Sequence, residues 1–360
     1  MSFINNWLRS DIQAINAYHV PPASDVIKLD AMESPFALPE DLIGQYLAYL
    51  ADSELNRYPS PGADQLNQTL RGLMEIPKEF GVLLGNGSDE LIQLLALACA
   101  ADDTILSVEP SFVMYDMIAK FTRLNYKGVA LTKDYQLDLA LMLSAISEHN
   151  PKLIFIAYPN NPTGNTFDRA DIEAIIKSTD AMVILDEAYY AYAGDSFIGD
   201  IAKYPNLVVL RTVSKIGFAG LRLGLLIGSQ ETVLELDKLR LPYNINTLTQ
   251  VSGNFLLKQK TEINKNAAII VEQRALLLEA LAKVSGLTAY PSQANFILFK
   301  APNAQALFDY LKDNGVLIKN LSSAPKLTDC LRVTVGSPEQ NQQFMQVVNK
   351  FYIPQGGASD

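Results

Sequence analysis

Apolar runs of strand length alternate with helix-like stretches between residues 81 and 228 of this 360-residue chain. Three of the runs, at 152–158, 181–185 and 206–212, are apolar over most of their length rather than at every second position. Such runs are typical of strands that are buried on both faces of a helix-covered parallel sheet. The sequence therefore predicts an α/β domain with a mainly parallel sheet flanked by helices.

A smaller α/β domain is predicted downstream of this region. A long helical stretch follows residue 246 and continues to about residue 281, and strand candidates lie at 295–299, 316–319 and 330–335. Because 360 residues are many for a single hydrophobic core, two domains are expected. We place the large domain at 35–245 and the small C-terminal domain at 246–360.

The composition argues against several classes of protein. The formal net charge of -10 disfavours nucleic acid or an anionic membrane as a partner, although a local cationic pocket can still bind an anionic substrate. Cys99 and Cys330 lie far apart in a chain with two histidines, so no metal site is predicted. The sequence has no targeting signal and no run of membrane-spanning length, which predicts a cytoplasmic protein.

A polar side chain follows each of the three buried runs. Asn161 lies after the first run, Asp186 after the second and Lys215 after the third. Ligands of open parallel sheets bind outside the carboxyl ends of the strands, so these three side chains are expected to converge. Each also has an ordinary structural explanation when it is taken singly, as a turn residue, a helix cap or a surface lysine.

Residues 212–222 combine hydroxyl groups, a lysine, small residues and an arginine. A desolvated Lys215 is suited to act as a Schiff-base nucleophile, while Ser214 and Arg222 offer a hydroxyl and a bidentate guanidinium to a phosphate group. A second anion site is predicted where a helix begins at Ser88, because the first amides of a helix have no partner within the helix. Together these features predict a site for a phosphorylated cofactor.

Three motifs resemble those of a known enzyme family. They are Asn-Pro-Thr-Gly at 161–164, Asp-Glu-Ala-Tyr at 186–189 and Ser-Lys-x-Gly-x-Ala-Gly-Leu-Arg at 214–222. Their order and separations resemble those of the fold-type I pyridoxal-phosphate aminotransferases, and most closely the histidinol-phosphate aminotransferase family. The resemblance covers nearly the whole chain, from about Trp7 to about Phe351. It implies the fold-type I transferase fold, with an N-terminal arm at 1–34 that packs on the small domain.

The resemblance also implies a cofactor, pyridoxal 5′-phosphate, and three catalytic residues. In this family pattern Lys215 carries the cofactor covalently and acts as the base, and Asp186 pairs with the ring nitrogen. Tyr189 and Asn161 hydrogen-bond the phenolic oxygen of the cofactor. The cofactor phosphate is assigned to Gly87, Ser88, Asp89, Thr212, Ser214 and Arg222.

Two aromatic residues are assigned to the cofactor by the same resemblance. Phe112 stands where the family often has tyrosine, and it is expected to stack on the cofactor ring. Tyr58, in Asn-Arg-Tyr-Pro, matches a residue that reaches across a dimer interface to the cofactor phosphate of the neighbouring subunit. A homodimer with shared sites is therefore implied.

Substrate binding is assigned to four residues. Arg332 matches the family arginine that holds the anionic end of the substrate, and Lys319 stands where the family commonly has a second arginine. Tyr18 and Asn295 match positions near the distal end of the substrate. The segment 29–36 is a degraded form of a family substrate loop.

The implied reaction is amino-group transfer between L-histidinol phosphate and 2-oxoglutarate by a ping-pong mechanism in histidine biosynthesis. Related activities built on similar motifs are transamination of aromatic amino acids and decarboxylation of threonine phosphate. A protein that uses the fold as a non-catalytic regulatory module is a further alternative. Visible absorption by the purified protein would distinguish this last alternative from the enzymes.

Overall fold

A computed structural model describes residues 3–17 and 25–352 of the chain. The strands are β1 (Ile27–Lys28), β2 (Phe80–Asn86), β3 (Thr104–Glu109), β4 (Asn125–Ala130), β5 (Leu153–Ala157), β6 (Met182–Asp186), β7 (Leu207–Thr212), β8 (Leu223–Ser229), β9 (Thr288–Ala289), β10 (Phe296–Lys300), β11 (Val316–Leu317), β12 (Lys319–Asn320) and β13 (Cys330–Thr334). The α-helices are α1 (Ile4–Trp7), α2 (Ser10–Gln13), α3 (Glu40–Ala51), α4 (Asp64–Met74), α5 (Ser88–Leu97), α6 (Met114–Thr122), α7 (Leu139–His149), α8 (Arg169–Lys177), α9 (Tyr190–Ala193), α10 (Gln230–Asp237), α11 (Thr247–Leu256), α12 (Lys260–Ala282), α13 (Ala304–Asp313) and α14 (Pro338–Tyr352).

Seven strands form the central sheet, in the order β2-β8-β7-β6-β5-β3-β4. The five strands from β7 to β4 in this order are mutually parallel, and β8 runs antiparallel to both of its neighbours. The three apolar runs of the sequence become β5, β6 and β7, which lie side by side at the centre. The predicted sheet, mainly parallel and flanked by helices, is confirmed.

Successive residues of the central strands enter two different hydrophobic cores. In β5, Ile154 and Ile156 belong to one cluster, with Ile172 of α8, whereas Phe155 belongs to the other, with Ile92 of α5. This alternation follows from the two-residue period of a strand, and it explains why the run is apolar at every position. Helices on both faces thus leave the strand ends as the accessible edge of the sheet.

The C-terminal region forms a second core around an antiparallel sheet in the order β12-β13-β10-β9. The strands predicted at 295–299 and 330–335 correspond to β10 and β13. The single strand predicted at 316–319 is wrong, because the chain divides there into two strands with different partners. β11 pairs in parallel with β1, and β12 pairs with β13, so Ile318 lies between two separate sheets.

The predicted continuous helix after residue 246 is also divided, into α11 and α12. Residues 257–259 contain no proline or glycine, so nothing local marks the break. Instead, α11 packs on α3 and α4 of the large domain, while α12 extends into the second core. Ile263 of α12 belongs to the large-sheet cluster, and Ile270 belongs to the second cluster.

These contacts bear on the domain limits, for which 1–34, 35–245 and 246–360 remain a prediction. The packing supports a proposed large-domain limit inside α12 rather than at 245. Within the N-terminal arm, β1 pairs with β11 of the small domain and Leu29 enters its core. The first helices of the arm pack elsewhere, since α2 contacts α6 of the large domain and Arg9 donates to the carbonyl of Phe121.

No helix within residues 3–17 and 25–352 is both long and apolar enough to cross a membrane.

A buried ion pair lies beneath the strand ends. Arg211 of β7 donates to one carboxylate oxygen of Glu187 from Nε at 3.0 Å and from Nη2 at 2.8 Å. The other oxygen of Glu187 accepts from the backbone amide of Phe197 at 2.6 Å, and Ser196 also donates to the carboxylate. The Arg211 guanidinium lies over the ring of Tyr190. The pair thus ties the loop after α9 to the central sheet.

We predict that Glu187→Ala is strongly destabilising. It leaves the buried Arg211 without its anion, and removing one member of a buried ion pair costs about 3–5 kcal/mol. Glu235→Ala is the matched control, because it breaks an exposed pair with Lys238 and is expected to cost at most about 1 kcal/mol. Urea unfolding followed by far-UV circular dichroism compares the two variants. Equal losses would show that the buried pair has no special role in stability.

Candidate active site

The residues predicted to converge lie together at the carboxyl edge of the central sheet. A cleft of about 550 Å³, part of it open to solvent, is found there. Asp186 ends β6, beside Ala157 of β5 and Leu210 of β7, and Lys215 follows β7. The cleft is lined by most of the predicted cofactor residues: Ser88, Asp89, Phe112, Asn161, Asp186, Tyr189, Thr212, Ser214, Lys215 and Arg222.

Lys215 lies in a short 3-10 turn, Ser214–Ile216, directly after β7. Burial lowers the pKa of its ammonium group to about 8, and the positive charge of Arg332 adds to this effect. Its Nζ lies 3.5 Å from the carbonyl oxygen of Ala31. Roughly a tenth of the amine is therefore unprotonated at pH 7, far more than at the ordinary lysine pKa of 10.5, and this form can act as a nucleophile or a proton acceptor.

Asp186 is buried at the base of the cleft. Its carboxylate accepts a hydrogen bond from the hydroxyl of Tyr115 at 2.8 Å and one from the backbone amide of Ala188 at 3.2 Å. Burial raises the pKa of Asp186 to about 6, and the hydrogen bond from Tyr115 opposes this rise. A protonated ring nitrogen placed here would find an anionic partner in a site that water does not reach.

The residues predicted to bind phosphate form a cradle at the N-terminus of α5. Gly87 precedes this helix with φ of +83°, and a Cβ atom at this position would lie 2.5 Å from Nη2 of Arg222. A Cβ atom at Gly224 would lie 2.6 Å from the backbone nitrogen of Ser88. Only glycine allows the strand, the helix start and the arginine to approach so closely. The helix amides and the guanidinium group together make an anion site.

The other predicted phosphate ligands surround the same point. The hydroxyls of Thr212 and Ser214 are 2.9 Å apart, so both lie in one small region. Arg222 lies 3.4 Å from the carboxylate of Asp89. Because this carboxylate would repel a phosphate, only the backbone amide of Asp89 suits the predicted phosphate site, while its side chain pairs with Arg222.

Arg332, the predicted substrate residue, is buried beside the cleft, in contact with Asn161 of its lining. Its Nη1 donates to Oδ1 of Asn161 at 2.5 Å, and its Nη2 donates to the carbonyl oxygen of Asp30 at 3.0 Å. Its guanidinium lies 5.2 Å from the ring centre of Phe296, which packs edge-on against Tyr189. Because Oδ1 of Asn161 is an acceptor, the amide nitrogen is the atom that can donate to a phenolic oxygen.

The remaining predicted substrate residues are placed differently. Lys319 lies opposite Arg332 in the pairing of β12 with β13, so both side chains lie on the same sheet face, but Lys319 does not line the cleft. Asn295 is buried and donates to the carbonyl oxygen of Met32 at 3.0 Å, which fixes the loop after β1. Tyr18 lies outside the described residues. The substrate roles of these residues remain predictions.

The two aromatic residues predicted to contact the cofactor differ in position: one lines the cleft and the other does not. Phe112 lines the cleft, and its ring packs edge-on against Tyr115 at 5.5 Å. Tyr58 is 80% exposed, stacks on Tyr243 at 4.5 Å and does not line the cleft of its own chain. The predicted contact of Tyr58 with the cofactor phosphate of a neighbouring subunit remains a prediction.

Sequence reasoning did not assign Tyr115 to the site, although it directly contacts Asp186. Its position in the sequence could have indicated this: Tyr115 lies three residues, or about one helical turn, after Phe112, at the start of α6. Met32, in the segment 29–36, also lines the cleft and was not assigned to the site. Among the described residues, no cluster of three or more His, Cys, Asp or Glu side chains is arranged to hold a metal ion.

Comparisons with known proteins place this arrangement in a family. The profile of the family "Aminotransferase class I and II" matches residues 24–348. The histidinol-phosphate aminotransferase of Vesicomyosocius okutanii subsp. Calyptogena okutanii is 70% identical over 353 residues, which cover 98% of this chain and all of the relative. Histidinol-phosphate aminotransferase 2 of Nitrosococcus oceani is 48% identical over 96% of this chain and 97% of its own length.

A solved structure has the same fold. The histidinol-phosphate aminotransferase of Sinorhizobium meliloti, in complex with pyridoxal-5′-phosphate, superposes with a TM-score of 0.84 at 22% identity. The superposition covers 95% of this chain and 97% of the other. The expected fold-type I architecture is thus confirmed. With the profile match and the 70% identity over nearly the full length, the chain belongs to the histidinol-phosphate aminotransferases, within the class I and II aminotransferase family.

Proposed function

We propose that the protein transfers an amino group from L-histidinol phosphate to 2-oxoglutarate, giving imidazole acetol phosphate and L-glutamate. The cofactor is pyridoxal 5′-phosphate. The observation that carries the proposal is the convergence of Lys215, Asp186 and the α5 anion site in one cleft, with Arg332 directly behind Asn161 of its lining. The reaction is a step of histidine biosynthesis, which supports a cytoplasmic location.

The residues of the cleft fit each part of this cofactor. The cradle at Gly87 accepts the phosphate group, and Asp186 lies where it can face the ring nitrogen. Phe112 offers a ring face, and Asn161 an amide donor. When bound, pyridoxal 5′-phosphate supplies a carbonyl group that reacts with amines and a ring that accepts electrons from the substrate Cα.

Lys215 has two tasks in the proposed reaction. Its amine, which burial keeps partly unprotonated, attaches the cofactor covalently. When the amino group of the substrate takes its place, the released amine would be the base that removes the proton from the substrate Cα and delivers it to the former carbonyl carbon of the cofactor. Asp186 helps this step by keeping the ring nitrogen protonated.

Arg332 recognises the anionic group of each substrate in turn. A guanidinium pairs with two oxygens at once, which suits the phosphate of histidinol phosphate and a carboxylate of glutamate equally. Because one pocket serves both substrates, the amino donor must leave as product before the acceptor binds. This order is a ping-pong mechanism.

We further propose that the protein acts as a homodimer with shared sites. Tyr58 stacks on the exposed Tyr243, and other exposed apolar side chains lie on α3, in the loop that follows it, in the segment before α11 and in α11 itself: Ile43, Leu47, Leu55, Leu241 and Leu248. A second copy of the chain would bury this surface, as obligate dimers do. Tyr58 would then complete the phosphate site of the partner.

The first test of the reaction is Lys215→Ala. Loss of a positioned proton-transfer group alone costs about 100- to 10,000-fold, and the nucleophile is lost as well, so turnover is expected to fall by at least ~1,000-fold. Borohydride should fix the cofactor covalently on Lys215 in the unmodified enzyme and leave no adduct in the variant. Lys238→Ala, at an exposed site, is the control. Substantial multiple turnover by Lys215→Ala would reject its catalytic assignment.

Substrate recognition is tested with Arg332→Lys and Lys319→Arg. The first change keeps the charge and removes the paired donors, so kcat/KM is expected to fall by roughly 10- to 150-fold, or about 1.5–3 kcal/mol. The second restores the commoner family residue outside the cleft and is expected to have a much smaller effect. Half-reactions with histidinol phosphate and with glutamate should both slow in Arg332→Lys. Normal rates in both would remove Arg332 from substrate binding.

Shared sites are tested by mixing two inactive variants, Tyr58→Ala and Lys215→Ala, under conditions that exchange subunits. Each mixed dimer then has one site with Lys215 from one chain and Tyr58 from the other, so about one quarter of normal activity is expected at equal mixing. Mixing Lys215→Ala with Asp186→Asn is the control, because both residues belong to the same chain's site and no intact site forms. Failure of the first mixture, with mixed dimers demonstrated, would contradict the proposal.

A further inference from the structure

Tyr115 contacts the buried acid of the active site. It lies in the first turn of α6, and its hydroxyl donates to Oδ2 of Asp186 at 2.8 Å. Both side chains are buried. The second oxygen of Asp186 accepts from the backbone amide of Ala188, so the carboxylate has one fixed donor on each oxygen.

Packing fixes the ring of Tyr115 and therefore the direction of its hydroxyl. One face stacks on Phe155 of β5, with ring centres 4.7 Å apart and planes at 20°. Phe112 packs edge-on against the same ring, at 5.5 Å and 88°. Tyr115 thus joins three parts of the site: the strand beneath it, the residue expected to stack on the cofactor, and the acid expected to face the ring nitrogen.

We propose that Tyr115 is a positioning residue for transamination, whose hydroxyl holds the Asp186 carboxylate ionised and directed at the ring nitrogen of the cofactor. The inference rests on the role of Asp186 in the proposed function. A hydrogen bond from a neutral donor stabilises a carboxylate more than a carboxylic acid, and most strongly in a site from which water is excluded.

The surrounding charges agree with this role. Asp186 faces Tyr115 of α6, Lys215 after β7 and the more distant Asp89 of α5, while Tyr115 also faces Tyr126 and Tyr189. Burial raises the pKa of the Tyr115 hydroxyl well above its usual value, so it remains a donor at any working pH. Burial also raises the pKa of Asp186, and the hydrogen bond from Tyr115 is the leading effect that opposes this rise.

Removal of the Tyr115 hydroxyl should shift a proton from the ring nitrogen of the cofactor towards the Asp186 carboxylate. The ring nitrogen and Asp186 share one proton, which resides on nitrogen as long as the carboxylate is the weaker base. Without the donor from Tyr115 the carboxylate becomes a stronger base, and the proton shifts towards it. The ring then loses part of its positive charge, and removal of the substrate Cα proton slows.

The experiment is Tyr115→Phe in the enzyme loaded with cofactor labelled with ¹⁵N in the ring. The nitrogen chemical shift reports ring protonation without any substrate, and it should move towards the unprotonated value. In single-turnover reactions with L-glutamate the rate of Cα proton removal should fall by about 10-fold or more, with little change in half-saturation, as expected for loss of a hydrogen bond to a charged group.

Tyr158→Phe is the matched control. Its hydroxyl also donates to a carboxylate, that of Asp195, at 2.9 Å, but this pair does not line the cleft. The control should leave the nitrogen signal and the rate unchanged. A signal that moves equally in both variants would show a general effect of removing a buried hydroxyl and would overturn the proposal.

A second comparison places Tyr115→Phe in an Asp186→Asn background. If the hydroxyl acts through the carboxylate, it should have little further effect there, on the signal or on the rate. A large further loss in a folded double variant would overturn the proposal. An unchanged signal and rate in a folded Tyr115→Phe enzyme would do so as well. If Asp186→Asn itself left the signal unchanged, the assigned role of Asp186 would fail instead.

Discussion

Two adjacent acids at the end of β6 face opposite sides of the sheet, and the site depends on how each buried charge is balanced. Glu187 points towards Arg211, which neutralises it permanently with two hydrogen bonds. Asp186 points into the cleft, where Tyr115 and a backbone amide give it only neutral donors. The two-residue period of a strand thus separates a structural carboxylate from a functional one. A cationic partner for Asp186 must come from the ligand.

The same balance explains the opposite pKa shifts of the two principal site residues. Burial lowers the pKa of Lys215 to about 8 and raises that of Asp186 to about 6, because a poorly hydrated site disfavours both charged forms. Arg332 further depresses the pKa of Lys215, so the group proposed to bind the anionic substrate also helps to keep the amine reactive. In the proposed function, substrate recognition and nucleophile activation share one charge.

Much of the large domain and its site could be predicted because the signals are local. The apolar runs of β5 to β7 reveal strands buried on both faces, and the polar residue after each run then lies at one edge. Tyr115 was not assigned, because its contact with Asp186 joins residues 71 positions apart. The division at Ile318 was missed because it depends on which strands lie nearby, and these are distant in sequence. Lys319 matches a family position, but sequence does not show whether it reaches the cleft.

Helix α12 enters both hydrophobic cores without a break. Its 23 residues span about 35 Å, with Ile263 seated against the large sheet and Leu277 seated against the small one. If a helix of this length tilts as a rigid body by about 5° about one end, its other end moves by roughly 3 Å. Because this one helix packs in both cores, its tilt sets how the second core lies relative to the large sheet.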